Sequence, residues 1–393
     1  MKHGLLLIAL LIAVICGNAN CASHRTAYPR STAQRIVLDI SIFYDELAPY
    51  GRWFPVNGYG YVWTPYDVSI GWRPYTDGYW VYTDYGWTWV SRYRWGWAPF
   101  HYGRWIFHSR HGWVWRPGTV WGPAWVVWRY RPGWIGWAPM PPQMEWRAGV
   151  GLRAEWGEVD QIVEPFWYSF VEERHFTARD LDRRLELPAR NITLLRQSEN
   201  VTSYAWAENR VVNRSINIES VEQAIGRPVP RGRVADADSP ARVAEVRGND
   251  VLIYRPTIQR ETTSRAPRQQ PPARRPDSSL DQMRRRDEEE QRKLEIQQAR
   301  DREALETRQR IERTQTPRQA KTEEINRQHE SERRALEIQK QREQQILKNR
   351  QEDRRKSQPP VPARREKERK PAPERKPPTR KLDQQESKQT GQS

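Results

Sequence analysis

Between Tyr44 and Pro142 the chain carries 16 of its 20 tryptophans, and they fall at a regular spacing. The segment reads as four lines. Pro49-Tyr50-Gly51-Arg52-Trp53 leads to Gly60-Tyr61-Val62-Trp63, and Gly78-Tyr79-Trp80 leads to Gly86-Trp87-Thr88-Trp89. Gly103-Arg104-Trp105 leads to Gly112-Trp113-Val114-Trp115, and Gly122-Pro123-Ala124-Trp125 leads to Gly133-Trp134-Ile135-Gly136-Trp137. The last tryptophan of each line stands at 63, 89, 115 and 137, a period of 26, 26 and 22 residues. A repeat of that length is one supersecondary unit that cannot bury its apolar face alone.

Each line suits a β-hairpin. Trp, Tyr, Val and Thr dominate, and Gly, Pro, Asp or Asn interrupts every few residues. Turns are expected at Asn57-Gly58, Thr83-Asp84 and Ser109-Arg110. Four hairpins give about eight short antiparallel strands, expected in meander order and closed into a barrel or small sandwich. The fold class expected is therefore mainly β, followed by a small α/β domain and a long charged helical, partly disordered tail.

Strand alternation places Trp87 with Trp89, and Trp113 with Trp115, on shared faces. First strands are aromatic on both faces. A domain of about 100 residues, on this count, holds more rings than one core takes, so some are expected to line a groove. The candidates are Trp53, Trp80, Tyr82 and Trp105, with Arg104 among the interleaved arginines that can lie over ring faces at about 0.5–1 kcal/mol each. Flat rings suit the apolar faces of sugars. The competing expectation is a tryptophan-heavy core held together by Trp–Arg stacking.

The chain then changes character. Pro139–Pro142 closes the Trp-rich domain (35–142), and 143–265 has the composition of a small mixed α/β domain. Strands are expected at Asn191–Leu195 and Val201–Ala205, with short helices over Thr177–Leu185 and, capped by Asn217, over Ile218–Ile225. A hairpin is expected around Gly248-Asn249. A Pro/Arg linker (266–277) precedes two long charged helices within 278–356, broken at Thr316-Pro317. Leu294 to Leu305, and Leu336 to Leu347, are 11 residues apart, and Leu294-Glu295-Ile296-Gln297 recurs as Leu336-Glu337-Ile338-Gln339. An 11-residue spacing favours straight or right-handed association. With so few apolar residues, a solvated semi-rigid helix is expected ahead of a coiled coil. Residues 357–393 have the composition of a disordered basic tail.

Residues 266–393 hold 35 Lys+Arg against 24 Asp+Glu, a net +11 of the chain's +17, and no Phe, Trp or Tyr follows Tyr254. The positive charge is thus a property of the tail, suited to an anionic surface. Residues 1–19 have the form of a secretory signal: Lys2, the apolar run Leu5–Cys16, then Gly17-Asn18-Ala19. Both cysteines, Cys16 and Cys21, lie in or beside it. Neither follows the small residue that a lipid-anchoring signal wants, and no disulfide framework is available. His101, His108 and His111 are expected as surface turn residues, not metal ligands. Nothing nominates a catalytic set or a cofactor, and an export signal argues against nucleic acid as partner.

The motifs Gly86-Trp-Thr-Trp-Val-Ser, Trp95-Gly-Trp-Ala-Pro-Phe-His-Tyr-Gly-Arg-Trp and Trp121-Gly-Pro-Ala-Trp-Val strongly resemble the bacterial YXWGXW-repeat proteins, a secreted domain family of unknown function. The resemblance covers about 44–142 and implies a Gram-negative envelope address, periplasmic or at the outer membrane. It supplies no catalytic residues. The expected function is non-enzymatic binding or scaffolding, with cell-wall glycan, lipopolysaccharide or an anionic membrane surface as partner. A wall or capsule polysaccharide hydrolase, and a helical module for self-association or partner binding, are the rivals.

Overall fold

A computed structural model describes residues 37–147, 151–153, 161–240, 244–259, 266–267, 280–315 and 319–356. The signal-like segment 1–19, most of the linker and the tail 357–393 lie outside them. The architecture is mainly β, with antiparallel hairpins leading and two long helices at the C-terminal side.

All four lines are hairpins. Their strands are Gly51–Val56 with Gly60–Pro65, Gly78–Thr83 with Gly86–Ser91, Arg104–His108 with Gly112–Arg116, and Val126–Arg131 with Trp134–Pro139. In each, a first-strand tryptophan stands directly opposite a second-strand one: Trp53 and Trp63, Trp80 and Trp89, Trp105 and Trp115, Trp128 and Trp137. The sequence period is therefore the period of a cross-strand indole pair. Such pairs are the unit of sheet stabilisation. The glycine two residues before Trp53 and Trp80 follows from that pairing. An added Cβ at Gly51 would overlap the Trp63 indole, and one at Gly78 the Trp89 indole.

The hairpins do not follow one another as a meander. The first and third share a four-stranded sheet, joined where Trp63 faces Trp115. The second lies inside a seven-stranded mixed sheet, flanked on one side by Arg210–Asn213 and on the other by Arg231–Asp236, both parallel to it. The fourth is flanked by Ser169–Glu172 and Glu199–Asn200. Described strands from the segment after residue 143 thus complete two of the sheets. Even the ends of this body meet, since Val37–Asp39 pairs in parallel with Thr257–Gln259.

Shared sheets explain the fate of the rings. Nine tryptophans (63, 80, 87, 89, 105, 115, 125, 128 and 137) are fully buried. Trp80 packs on Trp128 at 4.6 Å and on Trp89 at 5.0 Å, and Phe176, from the later segment, caps Trp87 at 4.7 Å. The surplus expected for a hundred-residue domain disappears because some two hundred residues share the core. Indole N–H groups of Trp63, Trp115 and Trp137 donate to the carbonyls of Leu47, Tyr102 and Tyr75 at 3.1, 2.8 and 2.9 Å. Buried indoles favour such partners.

Among the described residues, α-helices with full bounds are α1 (Ile42–Leu47), α2 (Asn191–Arg196), α3 (Ile218–Ile225), α4 (Leu280–Gln315) and α5 (Gln319–Lys356). α3 begins and ends as its sequence indicates. The Asn217 side chain accepts from Ser220 N at 2.9 Å, and Gly226 takes the left-handed conformation at φ 72°. α2 replaces the strand expected over Asn191–Leu195. Its Asn191 amide donates to Pro165 O and Tyr168 O, which anchors the turn to the body. The helix expected over Thr177–Leu185 is only a 3-10 turn at Leu181–Arg183, with no side-chain cap.

Candidate functional site

The five aromatic-face candidates are not a face. Trp53, Trp80 and Trp105 are buried, each opposite its partner indole. Tyr82 is half-buried and meets Trp87 edge-on at 5.2 Å. Arg104 lies over Trp125 at 4.0 Å and donates to Met144 O, so it seals the core instead of waiting for a ligand. Among the described tryptophans Trp206 is the most exposed, at 39 %. His101 also departs from expectation. It is fully buried, with Nδ1 at 2.9 Å from Gly122 O and its ring stacked on Trp121, and burial lowers its pKa to about 4.

What the structure offers instead is a seam. α4 and α5 fold back as an antiparallel hairpin that lies on the β body, where a solvated helix was expected. The reason is the content of the 11-residue spacing. Gln298 donates to Glu343 at 3.0 Å and to Lys340 O at 3.4 Å. Eleven residues later, Gln309 repeats the contact on Glu332 and His329 O, both at 3.1 Å. Eleven residues earlier, Asp287 and Glu290 hold Arg354 at 2.6 and 2.8 Å. This register sets Leu294 level with Leu347 and Leu305 level with Leu336, and all four are buried. Polar layers alternate with leucine layers. The apolar count looked thin because half of each seam is polar.

The body supplies an arginine to the polar layers. Arg190, nearly buried, reaches Glu312 at 2.9 Å, while Thr193 donates to the fully buried Glu332 at 2.8 Å. Arg73 faces Glu343 and Asp301, the equivalents of Glu332 and Glu312 one repeat away. Burial lowers Arg73 to about 10 against the pull of those two carboxylates. Burial raises Glu343 and Asp301. For Glu312 burial pulls upward too, but the His329 hydrogen bond and the Arg190 charge win and hold it low. At the far end of α5, Asp353 meets Arg110 at 2.7 Å and both Arg52 and His111 at 3.6 Å. Burial and the neighbouring His108 and Arg52 bring His111 down to about 4. The turn residues Arg110 and His111 therefore form a latch for the helix end.

Between α5 and the body, next to these layers, opens a cleft of about 510 Å³. Among the described residues, no group of three His, Cys, Asp or Glu could hold a metal ion, and no helix is long and apolar enough to cross a membrane. The seam was invisible to motif reading, because its partners lie far apart in sequence: Asp287 and Arg354 are 67 residues apart, and Arg190 and Glu312 lie on different elements. No curated protein and no solved structure matches the chain. Residues 44–144, the span that holds the four hairpins, match a family of unknown function, DUF6600.

Proposed function

We propose that this is a non-enzymatic, exported protein of the Gram-negative cell envelope that acts by binding and scaffolding, with its working surface at the helical seam. The observation that carries this reading is the face of the body at Arg190, with Arg73 nearby, which meets acidic residues of the helices. A body whose tryptophans are spent on its own core has rigidity to offer, and rigid elements place a binding surface accurately. The apolar run Leu5–Cys16 supports export, and the basic tail supports contact with an anionic surface such as lipopolysaccharide or membrane headgroups, an attraction that salt weakens.

The test uses the purified full-length protein, incubated with peptidoglycan, lipopolysaccharide and anionic vesicles, together with fractionation of the expressing cells. Retention on an envelope component without release of reducing ends is expected. Recovery of the protein in the cytosol would overturn the address, and release of reducing ends that stops on changing one carboxylate would replace scaffolding with polysaccharide hydrolysis.

A further inference from the structure

We propose that the cleft between α5 and the body is a binding site for a short, extended, acidic peptide segment of a partner protein. The inference rests on the scaffolding function above and names the chemistry of one partner.

The cleft volume lies in the range of ordinary ligand sites. One wall is a single face of α5 from Arg327 to Arg342, about 22 Å long at 1.5 Å per residue. Phe166 and Ile192 form the apolar side opposite. That length takes about six extended residues at roughly 3.3 Å each.

Charge selects the occupant. Four arginines line the cleft against two glutamates, and both glutamates are engaged: Glu164 pairs with Arg342 at 2.7 Å, and Glu330 with Arg334. Arg196 and Arg327 are exposed and make no ion pair among the described residues. Two cations beside an apolar floor are complementary to an acidic segment with alternating apolar side chains.

The form of the cleft favours a peptide over an acyl chain. It lies open along its length, with polar and apolar groups interspersed, so a hydrocarbon would leave one side in water. An extended peptide alternates its faces, carboxylates toward the arginines and apolar groups toward Ile338, which is 52 % exposed without an occupant.

The experiment measures fluorescence anisotropy of a labelled octapeptide of alternating Asp and Leu on the full-length protein. A Lys–Leu octapeptide and phosphatidylglycerol vesicles serve as comparisons. Saturable, salt-sensitive binding of the acidic peptide alone is expected. Ile338→Asp and the double variant Arg196→Glu/Arg327→Glu, all at exposed positions, should each weaken it by about tenfold. Tryptophan fluorescence confirms that each variant keeps its folded body. Absence of saturable binding, or binding that neither variant weakens, overturns the proposal. Vesicle binding that the variants abolish, with no peptide binding, assigns the cleft to lipid instead. Loss of peptide binding with envelope retention intact removes this inference alone, whereas peptide binding by a cytosolic protein removes only the envelope reading.

Discussion

The body and the helical hairpin are both built from repeats, yet they spend their repeats differently. The body repeats an indole pair every 22 to 26 residues, and the pairs of the second and fourth hairpins converge on one another, Trp80 on Trp128 and Trp137. The hairpin repeats a glutamine–glutamate layer every 11 residues, and the layer at Glu332 leans on Arg190 of the body. Apolar burial is non-directional and gains with area. A buried ion pair must first offset desolvation, so its contribution is geometric and easily lost. The contrast assigns permanence to one region and reversibility to the other.

The sharpest way to break this comparison is to delete one indole. Trp80→Ala should cost about 3–5 kcal/mol, and chemical denaturation should show the whole body losing stability in one transition. If only one sheet melts, the shared core is wrong. Arg190→Ala comes next. Glu312 keeps Arg308 and His329, and Glu332 keeps Thr193 and Gln309, so losing the one cation the body supplies should cost about 1–3 kcal/mol of docking. Hydrogen exchange should then speed up in α4 and α5 while the tryptophan emission of the body is unchanged. An effect of equal size in both regions would erase the distinction.

Gly51→Ala forces a methyl into the Trp63 indole and should cost about 1–3 kcal/mol, again read by denaturation. The last effect is a pH dependence, absent at neutral pH and growing on acidification. His101 and His111 have folded pKa values lowered from 6.5 to about 4, so unfolding takes up protons in that window. Their contribution is complete above about pH 6.5 and declines as the pH falls toward 4. Denaturation midpoints measured across that range should decline, and His111→Asn should flatten the slope. A midpoint that rises on acidification would contradict both assignments.

Much of the fold was legible because the period of Trp63, Trp89, Trp115 and Trp137 carries the hairpins directly, and Asn57-Gly58 marks a turn. The order of the hairpins was not, since nothing local says that Trp63 will meet Trp115 instead of its nearest neighbour in sequence. The ring count misled for the same reason: Phe176 and the strands around Arg210 and Arg231 cover rings that a separate domain would have left bare. At the seam, Gln298 and Gln309 read as solvated helix residues. Only the register against Glu343 and Glu332 turns them inward. Asn191 looked like part of a strand because Ile192, Thr193 and Leu194 favour one, but its side chain ties a helical turn to Pro165 and Tyr168.

The parallel pairing of Val37–Asp39 with Thr257–Gln259 has a mechanical consequence. Chain enters at Val37 and leaves at Gln259, which are opposite ends of a parallel pair. Tension applied between the two flanks therefore loads the pair in shear, straining its hydrogen bonds together instead of unzipping them singly. The helical hairpin sits in series beyond that point and is expected to peel layer by layer, starting at Asp353. Under pull, the molecule would lengthen first through its helices, and its tryptophan body would be the last part to yield.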